Sequence, residues 1–390
     1  MTTSTTTKSV PFHVPSIGEE AIRAVTETLE SGWITTGPKT RCFEEAFARF
    51  IGVRHALAVS SCTAALHLSL DAARLSEGAE VLVPTLTFAA TAEVVAYFKA
   101  KPVLVDVDPL HFNLSLEDAR RKITPKTRAI IPVHFGGHPC LMDSILDLAA
   151  TSGLTVIEDA AHAIPAKYRG QNIGTLSPMT AFSFYATKTL TTGEGGMVTT
   201  NDDSLANRVS LMRLHGMSRD AWKRYTAEGT WRYEITEAGY KYNLTDPQAA
   251  LGLVQLSNCE EMWRRRVEIA QKYDSALMSL EAYGSPQVAQ DVQHAWHLYV
   301  VLVEPFALRI HRDQVIEELR QRGIGTSVHF IPLHLHPYYQ RTWGYRLGEF
   351  PVAEDYFDRC ISLPIYPSMT DEDINHVIEA LQDISIKFRR

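Results

Sequence analysis

Short apolar runs separated by segments of helical length dominate the first half of the chain. The runs fall at residues 56–59, 81–83, 103–107, 129–133, 155–157 and 181–185. Each is rich in apolar and β-branched residues and too short for a helix, which predicts strands buried on both faces. Between them, residues 63–75, 91–99, 116–122 and 141–150 have the length and composition of helices. Strand and helix alternating in this way predict an α/β domain with a mostly parallel sheet covered on both faces. Ligands of such sheets sit at the carboxyl ends of the strands, so those positions are read first for chemistry.

The second half changes character. After Asp246 the pattern predicts one long helix running through the charged stretch 260–266, and 283–292 reads as a connection between domains. Candidate strands at 298–303 and 327–330 then mix with candidate helices at 312–322 and 371–382, an α+β pattern. The expected organisation is a disordered polar tail (1–10), a large domain (11–245), a long connecting helix (246–282) and a smaller C-terminal domain (283–390). A chain of 390 residues suits such a division better than a single core.

Composition narrows the function classes. Hydrophobic residues make up 45% and charged residues 21%, so a substantial core is available. A net charge of -7 leaves no basic field, and nucleic acid is not an expected partner. No run is long and apolar enough to span a bilayer, and the Ser/Thr-rich start lacks the apolar centre of a signal peptide. A cytoplasmic protein with no membrane partner is expected. Five cysteines at wide spacing suit reduced thiols better than a disulfide framework.

Four features at strand ends belong together chemically. Lys188 follows the run 181–185 and precedes the glycine-rich turn Gly193-Glu-Gly-Gly196. A lysine desolvated there favours the neutral amine that a Schiff base requires; the plain alternative is a surface lysine capping a strand. Asp159 ends its own run and can meet a cofactor nitrogen, or simply cap the next helix. His162 lies three residues on, able to buttress a ring hydroxyl or to serve as an ordinary helix residue. Ser61, Cys62 and Thr63 join a strand to a helix, a start that binds anions through free N–H groups and is equally a good N-cap. Ser183 is a second candidate phosphate donor, and Phe88 can lay its ring on a cofactor face or pack in the core. An amine, an acid, an anion cradle and a flat ring are what pyridoxal phosphate needs from a protein.

Two other constellations suggest different chemistry. Asp106 and Asp108 have the spacing with which a glycosyltransferase can hold a divalent ion, although a strand ending in Asp is also an ordinary turn start. His134, His138 and Cys140 lack a fourth zinc ligand at suitable spacing, and no metal site is expected.

Taken in order, several motifs resemble the DegT/DnrJ/EryC1/StrS family of sugar aminotransferases, of fold type I among pyridoxal-phosphate enzymes. They are Glu30-Ser-Gly-Trp33-Ile-Thr-Thr-Gly-Pro38, Ile157-Glu-Asp159-Ala-Ala-His162-Ala, Gly239-Tyr-Lys-Tyr-Asn243-Leu-Thr-Asp246 and His294-Ala-Trp-His297-Leu. The likeness covers nearly the whole chain and is closest to the branch of UDP-4-amino-4-deoxy-L-arabinose aminotransferases. It departs at Phe88, where that branch usually has Trp, and at Cys62, where a smaller residue is more usual. The segment 222–237 has no useful likeness and is a candidate for shaping the sugar pocket.

The resemblance implies that Lys188 carries pyridoxal phosphate, that Asp159 meets its pyridine nitrogen, that Ser183 and Thr63 hold its phosphate and that Phe88 stacks on its ring. It implies a homodimer with shared active sites in which Asn243 reaches the partner's phosphate. His329, Thr35 and Thr36 are implied on the substrate side, and Trp33 belongs to the same motif. The implied reaction passes an amino group from L-glutamate, leaving 2-oxoglutarate, to a nucleotide-linked 4-keto sugar by way of pyridoxamine phosphate. The setting would be polysaccharide or lipopolysaccharide synthesis. Two relatives by fold compete: dehydratases with histidine in place of the lysine, disfavoured by Lys188, and a non-catalytic binding module that keeps the fold.

Overall fold

A computed structural model of the chain describes residues 8–217 and 233–390. Most of the expected tail, 1–7, and most of the segment 222–237 lie outside the described residues. The large domain runs α1 (Glu19–Glu30), α2 (Pro38–Ile51), β1 (His55–Val59), α3 (Cys62–Ala72), β2 (Glu80–Pro84), α4 (Ala90–Tyr97), β3 (Lys101–Val105), α5 (Leu116–Lys122) and β4 (Thr127–Ile130). It continues through α6 (Met142–Ser152), β5 (Thr155–Asp159), the short β6 (Lys167–Tyr168) and β7 (Gln171–Asn172), β8 (Met179–Ser183), β9 (Gly196–Thr200), α7 (Asp203–Met212) and α8 (Asp246–Ser257).

The main sheet has the order β1-β9-β8-β5-β4-β2-β3. Strands β8, β5, β4, β2 and β3 pair in parallel, as the alternation of runs predicts. The unforeseen strand is β9, antiparallel to both β1 and β8. The chain reaches it from β8 through the loop 184–195, which contains no crossover helix, and strands joined without such a helix pair in antiparallel fashion. Side chains alternate between two cores. In β2, Val81 and Val83 face one core while Leu82 faces the other, and Leu57 and Ala58 divide in the same way in β1. Burial on both faces explains why these runs are continuously apolar rather than alternating.

Helix α9 (Cys259–Leu277) leads into the small domain, which contains β10 (Tyr283–Gly284), β11 (Val292–Gln293), β12 (Tyr299–Val303), α10 (Arg312–Gln321), α11 (Pro337–Trp343), α12 (Pro351–Arg359), β13 (Cys360–Leu363) and α13 (Asp371–Lys387). Its sheet, β10-β12-β13, is antiparallel, and Tyr299, Val301 and Val303 point into a third core with α9 and α13. The strand β11 joins β6 and β7 in a separate small sheet.

Three expectations change. The single long helix after Asp246 is two helices meeting at Asn258, whose backbone leaves the helical range (φ -97°, ψ 1°). Residues 327–330 are not a strand; only Ser327 bridges to Ser362, and the chain then leaves the sheet to line a cavity. Finally, the tail does not extend to residue 10, because Val10 is fully buried in the small-domain core and pairs with Ile324. No helix among the described residues is long and apolar enough to cross a membrane.

Candidate active site

A cavity of about 440 Å³ opens at the strand ends of the large domain, walled on its far side by the small domain. Lys188 lies in the loop after β8, its backbone N–H donating to the Tyr185 carbonyl at 2.9 Å. The surrounding protein pushes its amine down to about 8 by desolvation, against the opposing influence of Cys62 and Asp159. Roughly a tenth of it is therefore neutral near pH 7, where a free surface lysine is almost wholly charged.

Asp159, the last residue of β5, is 5% exposed. Its two oxygens accept from Thr91 Oγ1 at 2.8 Å and from the Ala161 N–H at 3.1 Å, and Thr91 itself meets Thr87 Oγ1 at 2.8 Å. Burial lifts the carboxyl above its usual range, while those hydrogen bonds and the Lys188 charge pull it back. A cationic N–H placed beside it would tip that balance towards the carboxylate. His162 accepts the Gly136 N–H on Nδ1 at 3.3 Å, and burial holds its ring neutral, well below the usual range.

Ser61 caps α3, its Oγ accepting the Ala64 N–H at 3.1 Å. The first N–H groups of that helix, with Thr63, open into the cavity, where an anion is favoured. The start of α3 is pressed against β9: a Cβ on Gly196 would lie 2.5 Å from the Ser61 carbonyl carbon, so only glycine fits. Ser183 also lines the cavity. Cys62 Sγ lies 4.0 Å from Asp159 Oδ1, and burial lifts its thiol far above the usual range, so it is an inert neighbour rather than a nucleophile. Phe88 lines the cavity but is 64% exposed, which sets it at the mouth and removes the alternative of a core aromatic.

The small domain contributes His297, His329 and Phe330. The His297 ring lies 4.4 Å from that of His162, and Phe330 stacks on His162 at 6.0 Å. Burial, with the Lys188 charge adding to it, holds His329 at about 4. Sequence reasoning gave no role to Thr91, His297 or Phe330. Thr91 opens the candidate helix 91–99 just past a strand end, which was a usable signal for the first; His297 stands in the family motif without a role, and nothing local marks Phe330.

Trp33, Thr35, Thr36 and Asn243 form a second cluster, outside the lining of this cavity. Asn243 Nδ2 donates to Thr36 Oγ1 at 2.6 Å, and Trp33 Nε1 donates to the Thr36 carbonyl at 3.2 Å. Asp246 fastens this loop: its carboxylate accepts from the N–H groups of Gly37, Lys39 and Thr40 at 2.7–3.0 Å and from Thr40 Oγ1 at 2.7 Å. The Thr35 carbonyl accepts the Asp246 N–H at 3.2 Å.

The competing constellations are occupied with structural work. Asp106 accepts the N–H groups of Val352 and Ala353 at the start of α12, and Asp108 accepts those of Leu110, His111 and Asn113. His134 Nε2 meets the buried Glu158 at 2.8 Å while its Nδ1 accepts the Cys140 N–H. His138 uses Nδ1 on the Pro139 carbonyl and Nε2 on the Ala289 N–H.

A desolvated amine facing a buried carboxylate, with a helix start a short way off, suits a cofactor that bears an aldehyde, a ring nitrogen and a phosphate. With the sheet order around it, this defines a pyridoxal-phosphate-dependent transferase. The chain belongs to the DegT/DnrJ/EryC1/StrS aminotransferase family, whose model matches residues 15–382. It is 54% identical over 374 residues to the uncharacterized protein MJ1066 of Methanocaldococcus jannaschii, covering 96% of this chain and 97% of that one. It is 49% identical over 376 residues to the spore coat polysaccharide biosynthesis protein SpsC of Bacillus subtilis, covering 96% and 97%. Among solved structures, the PMP form of the putative sugar aminotransferase Spr1654 of Streptococcus pneumoniae superposes with a TM-score of 0.91 at 33% identity, covering 97% of this chain and 100% of that one.

Proposed function

We propose that this sugar aminotransferase takes the amino group of L-glutamate and delivers it to a keto sugar carried on a nucleotide, as a homodimer with shared active sites. The 4-keto position and a UDP carrier are the favoured choices. The observation that carries the reading is that Lys188 and Asp159 line one cavity, each within electrostatic reach of the other. Pyridoxal phosphate, when bound, supplies an aldehyde to the lysine and a protonated ring that accepts the electron pair left when an α-proton departs. Asp159 keeps the ring nitrogen protonated, and Thr91 holds Asp159 in place. Lys188 Nζ, neutral once free, takes the proton from the donor's α-carbon and later gives one to the sugar carbon. The N–H groups at the start of α3, with Ser61, Thr63 and Ser183, would hold the phosphate; Cys62 fills the turn; Phe88 would cover the ring and His162 would steady its hydroxyl.

His329 is a substrate-side residue, as are Trp33, Thr35 and Thr36 through the partner. Among the described lining residues Lys188 is the sole lysine or arginine. A dicarboxylate donor and a nucleotide diphosphate both call for more positive charge, which supports completion of the site by a second subunit, with Asn243 reaching the partner's phosphate. Five unpaired cysteines suit the reducing cytoplasm.

The test is the visible spectrum of the protein with pyridoxal phosphate. A band of lysine-bound cofactor should form in wild type, be discharged by glutamate, and be restored by a nucleotide-linked keto sugar but not by the free sugar. Lys188→Ala should form no such band. A wild-type band that glutamate leaves unchanged sinks the donor assignment, and one restored equally by free sugar sinks the nucleotide.

A further inference from the structure

Residues 8–17 are not a tail but a strap across the join between the domains. Val10 donates its N–H to the Gly323 carbonyl and accepts the Gly325 N–H on its own carbonyl, each at 2.8 Å. The approach is so close that a Cβ on Gly323 would lie 2.3 Å from the Lys8 carbonyl oxygen, and one on Gly325 would lie 2.7 Å from the Phe12 nitrogen. Two residues beyond Val10, the Phe12 ring stacks on His329, centroids 5.6 Å apart and planes 28° from parallel. His13 comes next, its ring edge-on to Tyr366 of the small domain with centroids 6.0 Å apart, and also within the influence of the Ala186 backbone, two residues before Lys188. The strap then ties to α8 through the Ser16 carbonyl, which accepts from Gln255 Nε2 at 2.6 Å.

His329 has several restraints besides this ring. Its Nδ1 meets Ser362 Oγ at 2.8 Å, its carbonyl accepts from Tyr356 O–H at 2.9 Å, and Phe330 meets it edge-on at 5.0 Å. Nε2 is the ring nitrogen left for a ligand. With Nδ1 held at one edge, the ring can still swing about that hydrogen bond unless a face is covered, and Phe12 covers a face.

We propose that Phe12 is a positioning residue for His329, and that the N-terminal strap is therefore part of the active site. The proposal rests on the substrate-side role given to His329. A ring displaced by about an ångström presents Nε2 badly to the sugar, a loss of up to roughly a hundredfold in turnover efficiency.

The test uses the full-length protein loaded with pyridoxal phosphate, and compares Phe12→Ala, Phe12→Tyr, His329→Ala and the double variant Phe12→Ala/His329→Ala. One readout is the rate of diethyl pyrocarbonate modification at His329, followed by peptide mass spectrometry. The other is KM and kcat for the nucleotide-linked keto sugar beside the rate of the glutamate half-reaction. Phe12→Ala should speed modification of His329 several-fold and raise the sugar KM more than it slows the glutamate half-reaction, while Phe12→Tyr stays near wild type. The double variant should be no worse than His329→Ala. Unchanged His329 reactivity in Phe12→Ala, or additive losses in the double variant, overturn the proposal. If Phe12→Ala exposes His329 but His329→Ala leaves sugar kinetics intact, the substrate role of His329 fails and the positioning role falls with it. If wild type aminates no nucleotide-linked sugar, the substrate reading fails, and His329 reactivity alone still decides whether Phe12 holds the ring.

Discussion

The large-domain wall of the cavity is built from strand ends, whereas the small-domain wall is built from segments without regular structure. Asp159 closes β5, and Ser61 and Lys188 follow β1 and β8 by a few residues, so the sheet's hydrogen bonds fix their spacing. His297, His329 and Phe330 come from loops of a different domain, and Phe12 steadies one of them from nearly the opposite end of the chain. On the proposed reading, chemistry common to every substrate falls on the first wall and recognition of a particular sugar on the second, where a change costs little in the sheet.

That division can be broken experimentally, most severely at the residue beside Asp159. Glu158 is fully buried and, although burial alone would raise it, its hydrogen bonds with His134, Ser177 and Thr180 hold its carboxyl below the usual range. Glu158→Ala leaves those donors unpaired and should cost roughly 3–5 kcal/mol, read by urea unfolding. An equal cost from His329→Ala would erase the distinction between the walls. Asp159→Asn should lower kcat roughly 100- to 1000-fold with little change in sugar KM. Because Asp159 raises the Lys188 amine, the same variant should move the pH midpoint for cofactor attachment below about 8. An unmoved midpoint would mean that the two groups do not sense each other.

A smaller effect is expected at Asp246, which caps α2 from a distance. Asp246→Ala should cost about 1–2 kcal/mol in thermal unfolding, and should weaken cofactor retention if the Thr36–Asn243 pair serves the partner. A more gradual effect is the acid response of the second wall and the strap beside it. His13 and His329 are both held at about 4 by burial, below the ordinary value of 6.5. The unfolded chain thus binds more protons between those values, so their contribution to stability is full above about 6.5 and is lost as pH falls towards 4. His329→Asn should flatten the stability–pH slope in that window by up to one proton, and an unchanged slope would argue against a buried neutral ring.

The first wall was largely legible in the sequence because its residues end a continuous apolar run or follow one within a few positions. Lys188, Asp159, Ser61 and Thr63 are brought to one cavity by the parallel sheet that those runs imply. The strand β9 was missed because Gly196-Met-Val-Thr-Thr reads as the end of a glycine loop until its partners on both sides are known. The second wall was legible only in part. His329 came from resemblance, and residues 327–330 look like a strand because Val328 and Phe330 alternate with polar neighbours. Their apolar side is used against the core that includes Phe135, and against His162, instead of a sheet. Nothing in Pro11-Phe12-His13 announces a contact with a residue more than three hundred positions away. Periodicity reports what a segment buries, not what it is buried against.

Gly196 has a further meaning, best put as a matter of length. Its bare backbone rests on the Ser61 carbonyl, so the start of α3 and the strand beside Lys188 are in contact with no spacer between them. The lysine amine hangs on a flexible side chain, but the main chain of β9 and the main chain that starts α3 keep one separation, with no side chain between them to give way. On the proposed reading, that separation limits how far apart the aldehyde and the phosphate of a bound molecule can lie. A methyl group at position 196 would force the two segments apart.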